Sequence, residues 1–543
     1  MPYVPWKNLG ATIMKRRNID TPHYVALLRA LTDGPPQLRR PAVNALIADT
    51  ANKDSIIKDI KRIIKEQSAV LYKDTPEADE PEKYEAMVRA SGIEQAAIQT
   101  VLGILGPDGL LDAKEAFIKL IDRSGMLKRL GQWENHAKTM EREALEKARE
   151  FDKKRKQKTI EHVAIFGLGG SGAPHDIAAD IISNWRKSSV KVDVIHADTP
   201  NPDYIDENTV AIFCSFSGTT EETVHCYEVV QPKTHMRVVL AKPDDPDDPP
   251  KISLGQIARR DDLPFIQLPA DDNHPAYVMQ PRESVCLQLT AILTFLASIG
   301  LKPGSNGRLT LEDLGFEEKI IPKIRDWRRK YGPEVTYKDN PAKQLAFFLL
   351  YGIDYKGEGN LGKYDLWRKR VPCILVDRNN WAIGHEIRTQ LHERSKVNAI
   401  FYEAPEFLHN LVESIRAGVE SSQGGLDEHP FVYYFIRSLD EQRRIRLRLD
   451  KTIELVIKGK GKYKVLNTEG ENPLQRALFA VYFNAHVATY LALLNGFDPL
   501  PVPAMSWIKN VMRRFKRNGK KEKEAQVTDR PLLTLNVSRE RSQ

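Results

Sequence analysis

The chain has 543 residues, enough for about three or four domains of roughly 100–200 residues each. Hydrophobic residues make up 41% and charged residues 28% of it, as in ordinary globular proteins, so its core needs no disulfide or metal. The net charge of +8 permits anionic partners but identifies none. The four cysteines form no CxxC pair, which argues against a cysteine-rich zinc site.

No segment predicts insertion into a membrane or secretion. The longest apolar stretch, 287–301, is shorter than the roughly 18 residues that a membrane span requires, and it contains Gln288. The N-terminal sequence MPYVPWKNLG has no basic region followed by an apolar run. We therefore expect a cytoplasmic location and no membrane partner.

The first 121 residues predict a helical N-terminal extension. Segment 21–34 combines a Thr cap, a Pro in the first turn, an apolar stripe and a final Gly, and segment 53–67 repeats apolar residues at helical spacing. Segment 71–86 is polar and contains prolines, as loops do. No motif in this region indicates a chemical function.

From residue 122 onwards the pattern changes to alternating strands and helices. After a helical lead-in at 123–150, four apolar runs alternate with helical patterns, and a helix from Glu283 closes the unit near Gly300. Buried apolar runs separated by helices predict a parallel sheet that is covered on both faces. These four runs are 163–167, 190–198, 209–218 and 236–242.

A second cycle of the same kind begins near Asn340 and contains a helix through Arg388. Its apolar runs are 342–352, 371–377, 397–403, 431–437 and 452–458. The sequence thus predicts two doubly wound, flavodoxin-like parallel sheets, in a first unit at 122–335 and a second at 336–512, before a basic tail at 513–543. The Lys- and Arg-rich segments 147–158 and 509–524 are interpreted as solvated faces or linkers, so we do not expect nucleic acid as a partner.

The loop at 167–172 is the first candidate site. Its sequence GLGGSG follows a predicted strand, and glycines allow the backbone to approach an anion at the start of the next helix. A simple tight turn and a dinucleotide-binding fingerprint are the alternatives. The fingerprint requires an acidic residue about 20 positions on, for which Asp198 is the nearest fit.

The loop at 215–223 is the second and more informative candidate. Ser215, Ser217, Thr219 and Thr220 place four hydroxyls around Gly218 between a strand and a helix. Hydroxyls and free helix amides that donate toward one point are typical of a phosphate site. The alternative is helix capping, which requires only one hydroxyl. We favour phosphate binding.

Together these loops resemble the sugar isomerase (SIS) domain, and most closely that of the bifunctional phosphoglucose/phosphomannose isomerases. The resemblance extends over about 390 residues, from 122 to 512. Its motifs, in order, are Gly169-Gly-Ser171, Ser215–Thr223, Pro281-Arg282, Asn340–Lys343, Gln390–Lys396, Pro405–Asn410, and Leu491–Lys509 with Asp498-Pro499.

The resemblance implies a homodimer that isomerises a hexose 6-phosphate through an enediolate, without metal or cofactor. Glucose 6-phosphate and fructose 6-phosphate are the implied substrates, with mannose 6-phosphate as a further candidate. By motif, Glu393 is the base, His409 of the partner subunit opens the ring, Arg282 stabilises the enediolate, and Lys509 also lies in the site. The implied phosphate ligands are Gly170, Ser171, Ser215, Ser217 and Thr220.

These residue types suit the implied reaction. Moving a proton between C1 and C2 of an open-chain sugar requires a base, a group that opens the ring and a cation near the developing charge. Histidine exchanges protons near pH 7, and a guanidinium suits a delocalised negative charge. The sequence departs from the family pattern at positions near these residues: Thr219, His392, Arg394, Leu408, Leu411 and Leu500–Pro503.

A non-catalytic protein is the main alternative. In this hypothesis the SIS units sense a sugar phosphate, and the helical N-terminal region contacts another macromolecule. A sensor would need neither Glu393 nor His409, so their presence favours an enzyme.

Overall fold

The computed structural model shows an α/β protein with two parallel β-sheets preceded by helices, which confirms the predicted fold class. Gly170, Ser171 and Lys509 lie outside the described residues, and their roles remain predictions. The described residues are 23–71, 81–112, 116–155, 159–168, 172–184, 190–196, 202–244, 252–301, 314–356, 361, 364–420 and 429–508.

The N-terminal region is helical, as its sequence predicts. Residues 72–80 of the predicted loop lie outside the described residues, but its end at 81–86 belongs to the helix Pro81–Leu111, so the loop prediction is wrong there. That helix is broken at Gly106, which has a φ of +75° and is followed by Pro107. The helices are α1 (His23–Thr32), α2 (Pro36–Ala48), α3 (Lys53–Leu71), α4 (Pro81–Leu111), α5 (Ala116–Ile121), α6 (Met126–Leu130) and α7 (Trp133–Lys154), with a 3₁₀ turn at Thr50–Asn52.

The first sheet has the strand order β2-β1-β3-β4-β5, with all its strands parallel. Its strands are β1 (His162–Phe166), β2 (Lys191–Ile195), β3 (Thr209–Ser215), β4 (Arg237–Ala241) and β5 (Phe265–Gln267). Its helices are α8 (Ala173–Asn184), α9 (Glu221–Val230), α10 (Leu254–Arg260) and α11 (Val285–Ser298), with 3₁₀ turns at Pro202–Tyr204 and Pro281–Glu283. A π-helical turn (Phe316–Ile320), α12 (Ile321–Tyr331), a 3₁₀ turn (Tyr337–Asp339) and α13 (Pro341–Tyr351) follow.

The second sheet has the strand order β7-β6-β8-β9 and is also parallel. Its strands are β6 (Val371–Asp377), β7 (Ile400–Ala404), β8 (Phe431–Arg437) and β9 (Tyr463–Asn467). Its helices are α14 (Trp381–Glu393), α15 (Leu411–Glu420), α16 (Arg443–Lys458) and α17 (Pro473–Asn495), with 3₁₀ turns at Arg378–Asn380 and Glu406–His409.

Three secondary-structure elements of the fold differ from those that the apolar runs of the sequence predict. The run at 452–458 belongs to helix α16, and the edge strand β9 follows it at Tyr463–Asn467. The run at 342–352 is largely helix α13. The three-residue strand β5 was not predicted, since so short an element has no periodicity to read.

One hydrophobic core joins the N-terminal helices to both sheets. The same cluster of buried side chains includes Leu31 and Ile60 from the N-terminal helices, Ile212 of β3, Val376 of β6 and Leu491 of α17. The opposite face of each sheet packs against its own helices in a smaller cluster. The N-terminal region therefore shares its core with the α/β units.

Helix α17 runs through the centre of this core. It is long and apolar enough to cross a membrane, but its most apolar 18-residue window is entirely buried within the protein. A buried core helix meets the same criteria, so this helix is only weak evidence for a membrane span.

A buried lysine holds the N-terminal helices against the second unit. The side chain of Lys343, at the start of α13, is fully buried. Its Nζ lies 2.7 Å from the Asp112 carboxylate and 3.1 Å from the Leu111 carbonyl oxygen at the end of α4. The carbonyls of Pro333 and Val335 also accept from it.

We expect Lys343→Ala to lower the free energy of unfolding by about 3–5 kcal/mol, because it leaves a carboxylate and three carbonyls without their donor. Urea unfolding monitored by circular dichroism measures this change. The matched control is Lys464→Ala, whose exposed ion pair with Asp354 should contribute at most about 1 kcal/mol. Equal midpoints for the two variants would contradict the buried anchor.

Candidate active site

The two candidate loops lie side by side at the carboxyl end of the first sheet. The strand order reverses between β1 and β3, and open α/β sheets bind ligands at such a point. Phe166, at the end of β1, is in register with Phe213 of β3. A Cβ atom built on Gly167 would lie 3.3 Å from the Cys214 carbonyl oxygen, so both loops begin at one place.

The first loop begins at a glycine that the packing requires. A Cβ atom on Gly167 would lie 2.4 Å from Cε1 of the buried His175, so only glycine fits here. Burial lowers the pKa of His175 to about 3, which keeps its ring neutral. Gly170 and Ser171 lie outside the residues that the structure describes, so they remain predicted phosphate ligands.

The second loop is a compact turn of hydroxyl groups. The Oγ atom of the buried Ser215 lies 2.8 Å from Oγ1 of Thr220 and accepts a hydrogen bond from the Gly218 amide at 3.1 Å. The turn needs a glycine, since Gly218 has a φ of +73°. Ser217 is exposed at its tip and accepts from the amide and the hydroxyl of Thr219.

Thr220 is the N-cap residue of α9, yet its hydroxyl forms no capping hydrogen bond with a described residue. It bonds to Ser215 instead. For Thr220, capping alone therefore does not account for the hydroxyl. Amides at the start of a helix are groups of the kind that donate to an anion.

The strand order of the second sheet also reverses, between β6 and β8, but there a carboxyl group of the protein itself contacts the start of the following helix. The Asp180 carboxylate of α8 accepts from the Ala382 amide at the start of α14 at 3.1 Å. Burial raises the pKa of Asp180 to about 7 and that of Asp377 to about 6. Two buried carboxyl groups thus occupy this point of the second sheet, whereas the described loop at the corresponding point of the first sheet carries hydroxyl donors. The first sheet is therefore the better candidate for a phosphate site.

Arg282 and Glu393 form an ion pair between the two units. Nη1 of Arg282, in the 3₁₀ turn before α11, lies 3.0 Å from Oε2 of Glu393 at the end of α14. The Arg282 side chain is 2% exposed and the Glu393 side chain 20% exposed. Nη2 of Arg282 also donates to the carbonyl oxygens of Pro499 and Leu500. A fixed guanidinium thus faces a carboxylate that remains accessible to a ligand.

Lys396 fixes the end of the helix that carries Glu393, and the sequence did not assign it a role. Its Nζ donates to the Glu393 carbonyl at 2.6 Å and, at 3.3–3.4 Å, to the carbonyls of Arg394, Asp498 and Pro499. Burial lowers its pKa to about 7. Lys396 has a φ of +53°, a conformation that a sequence pattern does not reveal.

Two further buried groups on this helix were also missed. Arg394, one of the departures from the family pattern, is 1% exposed and donates to the carbonyls of Arg282 and Ala485. It therefore supports the backbone of Arg282. Glu386 lies two turns before Glu393 on the same helix, and burial raises its pKa to about 7. Strongly shifted acids of this kind often mark functional sites.

Both loops are connected to the segment that carries Arg282. Lys242 donates through its backbone amide to the Phe216 carbonyl, and through Nζ to the Val278 carbonyl at 2.9 Å. On the other side, Nε2 of His175 donates to Oε1 of Gln288 at 3.2 Å, and Gln288 donates to Ser284. The predicted phosphate loops and the Arg282–Glu393 pair are thus connected through a few buried contacts.

His409 lies elsewhere in the same chain. It is exposed at the end of the 3₁₀ turn after β7, at the carboxyl edge of the second sheet, whereas Glu393 ends α14 at the amino edge. The 13 residues of α14 span roughly 20 Å. Among the described residues, His409 forms no hydrogen bond or ion pair with Glu393 or Arg282. One chain therefore does not bring these groups together.

Comparison with known proteins confirms the expected resemblance. Residues 365–512 match the family described as the bacterial phospho-glucose isomerase C-terminal SIS domain. The chain is 25% identical over 365 residues to the bifunctional phosphoglucose/phosphomannose isomerase of Caldicellulosiruptor bescii. The aligned residues make up 66% of this chain and 92% of that protein. The Aquifex aeolicus protein of the same name is 23% identical over 355 residues, with coverages of 65% and 90%.

Among solved structures, a glucose-6-phosphate isomerase from Chlamydia trachomatis superposes with a TM-score of 0.50. The superposition covers 79% of this chain and 87% of that one at 13% identity. At this identity the similarity supports the fold alone. The chain is thus similar to the bifunctional phosphoglucose/phosphomannose isomerases over about two thirds of its length, and its residues 365–512 resemble the C-terminal SIS domain of the bacterial phospho-glucose isomerases.

The hydroxyl loop predicts a measurable affinity for inorganic phosphate. We expect the double variant Ser217→Ala, Thr220→Val to bind phosphate about 100-fold more weakly, because it removes two donors to a charged ligand. Isothermal titration calorimetry measures the change. The control is Ser298→Ala, whose hydroxyl bonds to the Thr294 carbonyl at the end of α11. Unchanged affinity in the double variant would refute phosphate binding at this loop.

Proposed function

We propose that the chain is an aldose–ketose isomerase of a hexose 6-phosphate, and that glucose 6-phosphate and fructose 6-phosphate are its substrates. Mannose 6-phosphate is a further candidate, since the relatives are named as acting on both phosphosugars. The observation that carries the proposal is the pairing of the accessible Glu393 carboxylate with the buried Arg282 guanidinium. This pair lies next to the segment that anchors both phosphate loops.

The proposed reaction is a proton transfer within one molecule. Glu393 takes the proton from C2 of the open-chain aldose, and the C–H electron pair forms the C1–C2 double bond as the carbonyl oxygen becomes negatively charged. The proton of the C2 hydroxyl moves to the C1 oxygen, so that the negative charge shifts to the C2 oxygen. Glu393 then returns its proton to C1 while the C2–O bond becomes the carbonyl, which yields the ketose. The oxidation at C2 balances the reduction at C1, so the step needs no external oxidant. Arg282 stabilises the enediolate, whose charge develops beside its guanidinium.

The phosphate group orients the sugar for this transfer. In the proposal, Ser215, Ser217 and Thr220 bind it together with Gly170 and Ser171 of the neighbouring loop. The start of α9 adds the partial positive charge of a helix N-terminus. Binding energy from this remote group holds C1 and C2 at the carboxylate of Glu393.

Ring opening is proposed to involve a second copy of the chain. His409 and Glu393 lie at opposite edges of one sheet, so a site that uses both takes them from two subunits. The partner subunit's His409 would protonate the ring oxygen and accept the proton of the C1 hydroxyl. Lys509, which follows the last described residue, Ile508, is proposed to contact the same sugar.

A sugar-phosphate sensor is the alternative, with the N-terminal helices as its interaction region. These helices contribute to the common core of both sheets, and Ser124 donates to Asp498 beside the turn that Arg282 contacts. Such inward contacts favour a structural role over a detachable interaction module. Binding of a sugar phosphate by a wild-type protein without turnover would support the sensor.

We expect Glu393→Gln to lower kcat by about 10²–10⁴-fold, because an amide cannot act as the proton-transferring base. A coupled assay with fructose 6-phosphate measures turnover. The variant should retain phosphate binding, since Gln is nearly isosteric with Glu and its amide oxygen can still accept from Arg282. Its thermal midpoint should fall, because the buried guanidinium loses its counter-charge. The control is Glu403→Gln in β7, whose carboxylate binds Arg378 outside the site. Unchanged turnover in Glu393→Gln would refute the mechanism.

A subunit-mixing experiment tests the origin of His409. Glu393→Gln and His409→Ala are each expected to be inactive as homodimers. Heterodimers of the two would contain one site with both native groups, so random mixing should restore about a quarter of wild-type activity. If both groups act from one chain, the mixture stays inactive and the two-subunit site is refuted.

A further inference from the structure

His196 lies beside the first loop and has no role in the proposed mechanism. It directly follows the edge strand β2, and its side chain is 37% exposed. Its Nδ1 atom lies 2.7 Å from the Gly167 carbonyl oxygen. Its Nε2 atom lies 3.0 and 3.1 Å from the two carboxylate oxygens of Asp176 in α8.

Both ring nitrogens of His196 therefore face hydrogen-bond acceptors. A carbonyl oxygen can only accept, and so can an ionised carboxylate. A neutral imidazole has one donor, so either tautomer would direct a lone pair at an oxygen. An imidazolium, which has a donor on each ring nitrogen, satisfies both contacts at once.

The surroundings support this charge state. The Asp176 carboxylate, and secondarily the Gly167 carbonyl, raise the pKa of His196 above its usual range, although partial burial opposes them. The other titratable groups described around this pair are His175 and Asp180 on α8, and His385, Glu386 and Arg388 on α14. Burial keeps His175 neutral, and it lowers the pKa of His385.

His196 provides one of three contacts that hold Gly167, the first residue of the loop, in place. The Gly167 amide donates to the Ile195 carbonyl at 3.4 Å, and the His175 ring fills the space beside its Cα atom. The third contact is the hydrogen bond from His196 to the Gly167 carbonyl oxygen. Gly167 is thereby held through its amide, its Cα atom and its carbonyl, immediately before the predicted phosphate ligands Gly170 and Ser171.

We infer that His196 is a positioning residue which, as an imidazolium bridging Asp176 and Gly167, fixes the backbone of Gly167, the residue from which the first loop starts. The inference rests on the proposed function of that loop. Binding of the phosphate group is then linked to protonation of a residue that does not touch the substrate. Above the pKa of His196 one of its two hydrogen bonds is lost, Gly167 is no longer bridged to Asp176 of α8, and affinity for the anion falls.

The charge state is measured first, in the full-length wild-type protein labelled with ¹⁵N-histidine. We expect the His196 ring to show two protonated nitrogens at pH 7.0, with the resonance assigned by its loss in His196→Arg. A neutral tautomer at pH 7.0 would overturn the inference. This measurement requires neither ligand nor turnover.

Sulfate binding between pH 6 and 9 then tests the link to the loop, because sulfate keeps its charge over this range. Wild-type affinity should fall about tenfold as His196 loses its proton, the loss expected for one charge-assisted hydrogen bond. His196→Gln, with a single donor group, should bind weakly throughout. His196→Arg, a permanent double donor, should bind without this pH dependence. The control His235→Gln, at an exposed histidine before β4, should behave as wild type.

Identical pH profiles for wild type and His196→Arg would overturn the inference, and so would the absence of sulfate binding. Turnover is read separately in the coupled assay. An inactive protein that keeps the pH-dependent sulfate affinity would refute the proposed isomerisation and leave the role of His196 intact.

Discussion

The contact between Arg282 and Glu393 is the interaction on which the rest of the site depends. A guanidinium that is 2% exposed has lost its water and needs acceptors from the protein. It finds them in the Glu393 carboxylate and in the carbonyls of Pro499 and Leu500. Because these acceptors come from distant parts of the chain, satisfying one charge brings α14, α11 and the turn after α17 together.

This requirement also explains what the N-terminal helices contribute to the site. The turn that Arg282 contacts is held from the other side by Ser124, which donates to the Asp498 carboxylate. Arg123 in turn pairs with the buried Glu94 of α4. Through Glu94 the helical extension thus contacts the segment that binds Asp498, and its apolar side chains join the same core.

Most of the fold could be predicted from the sequence because its signals are local. Buried strands and amphipathic helices each produce a periodicity within a few residues, and the alternation of the two predicts parallel sheets. The interpretation was incomplete where local signals are ambiguous or too short. The run at 452–458 belongs to a helix, and β5 has only three residues. A short apolar run suits either structure, and tertiary packing decides between them.

The sequence by itself determined the hydroxyl loop at Ser215, the glycine loop before it, and the motif that identifies Glu393 and Arg282. Only the tertiary structure decided the contacts that hold them. Lys396 and His196 look like ordinary surface residues in the sequence. Their roles follow from carbonyl and carboxylate oxygens up to about a hundred residues away. Burial and hydrogen-bond partners are properties of the folded chain, and no local pattern encodes them.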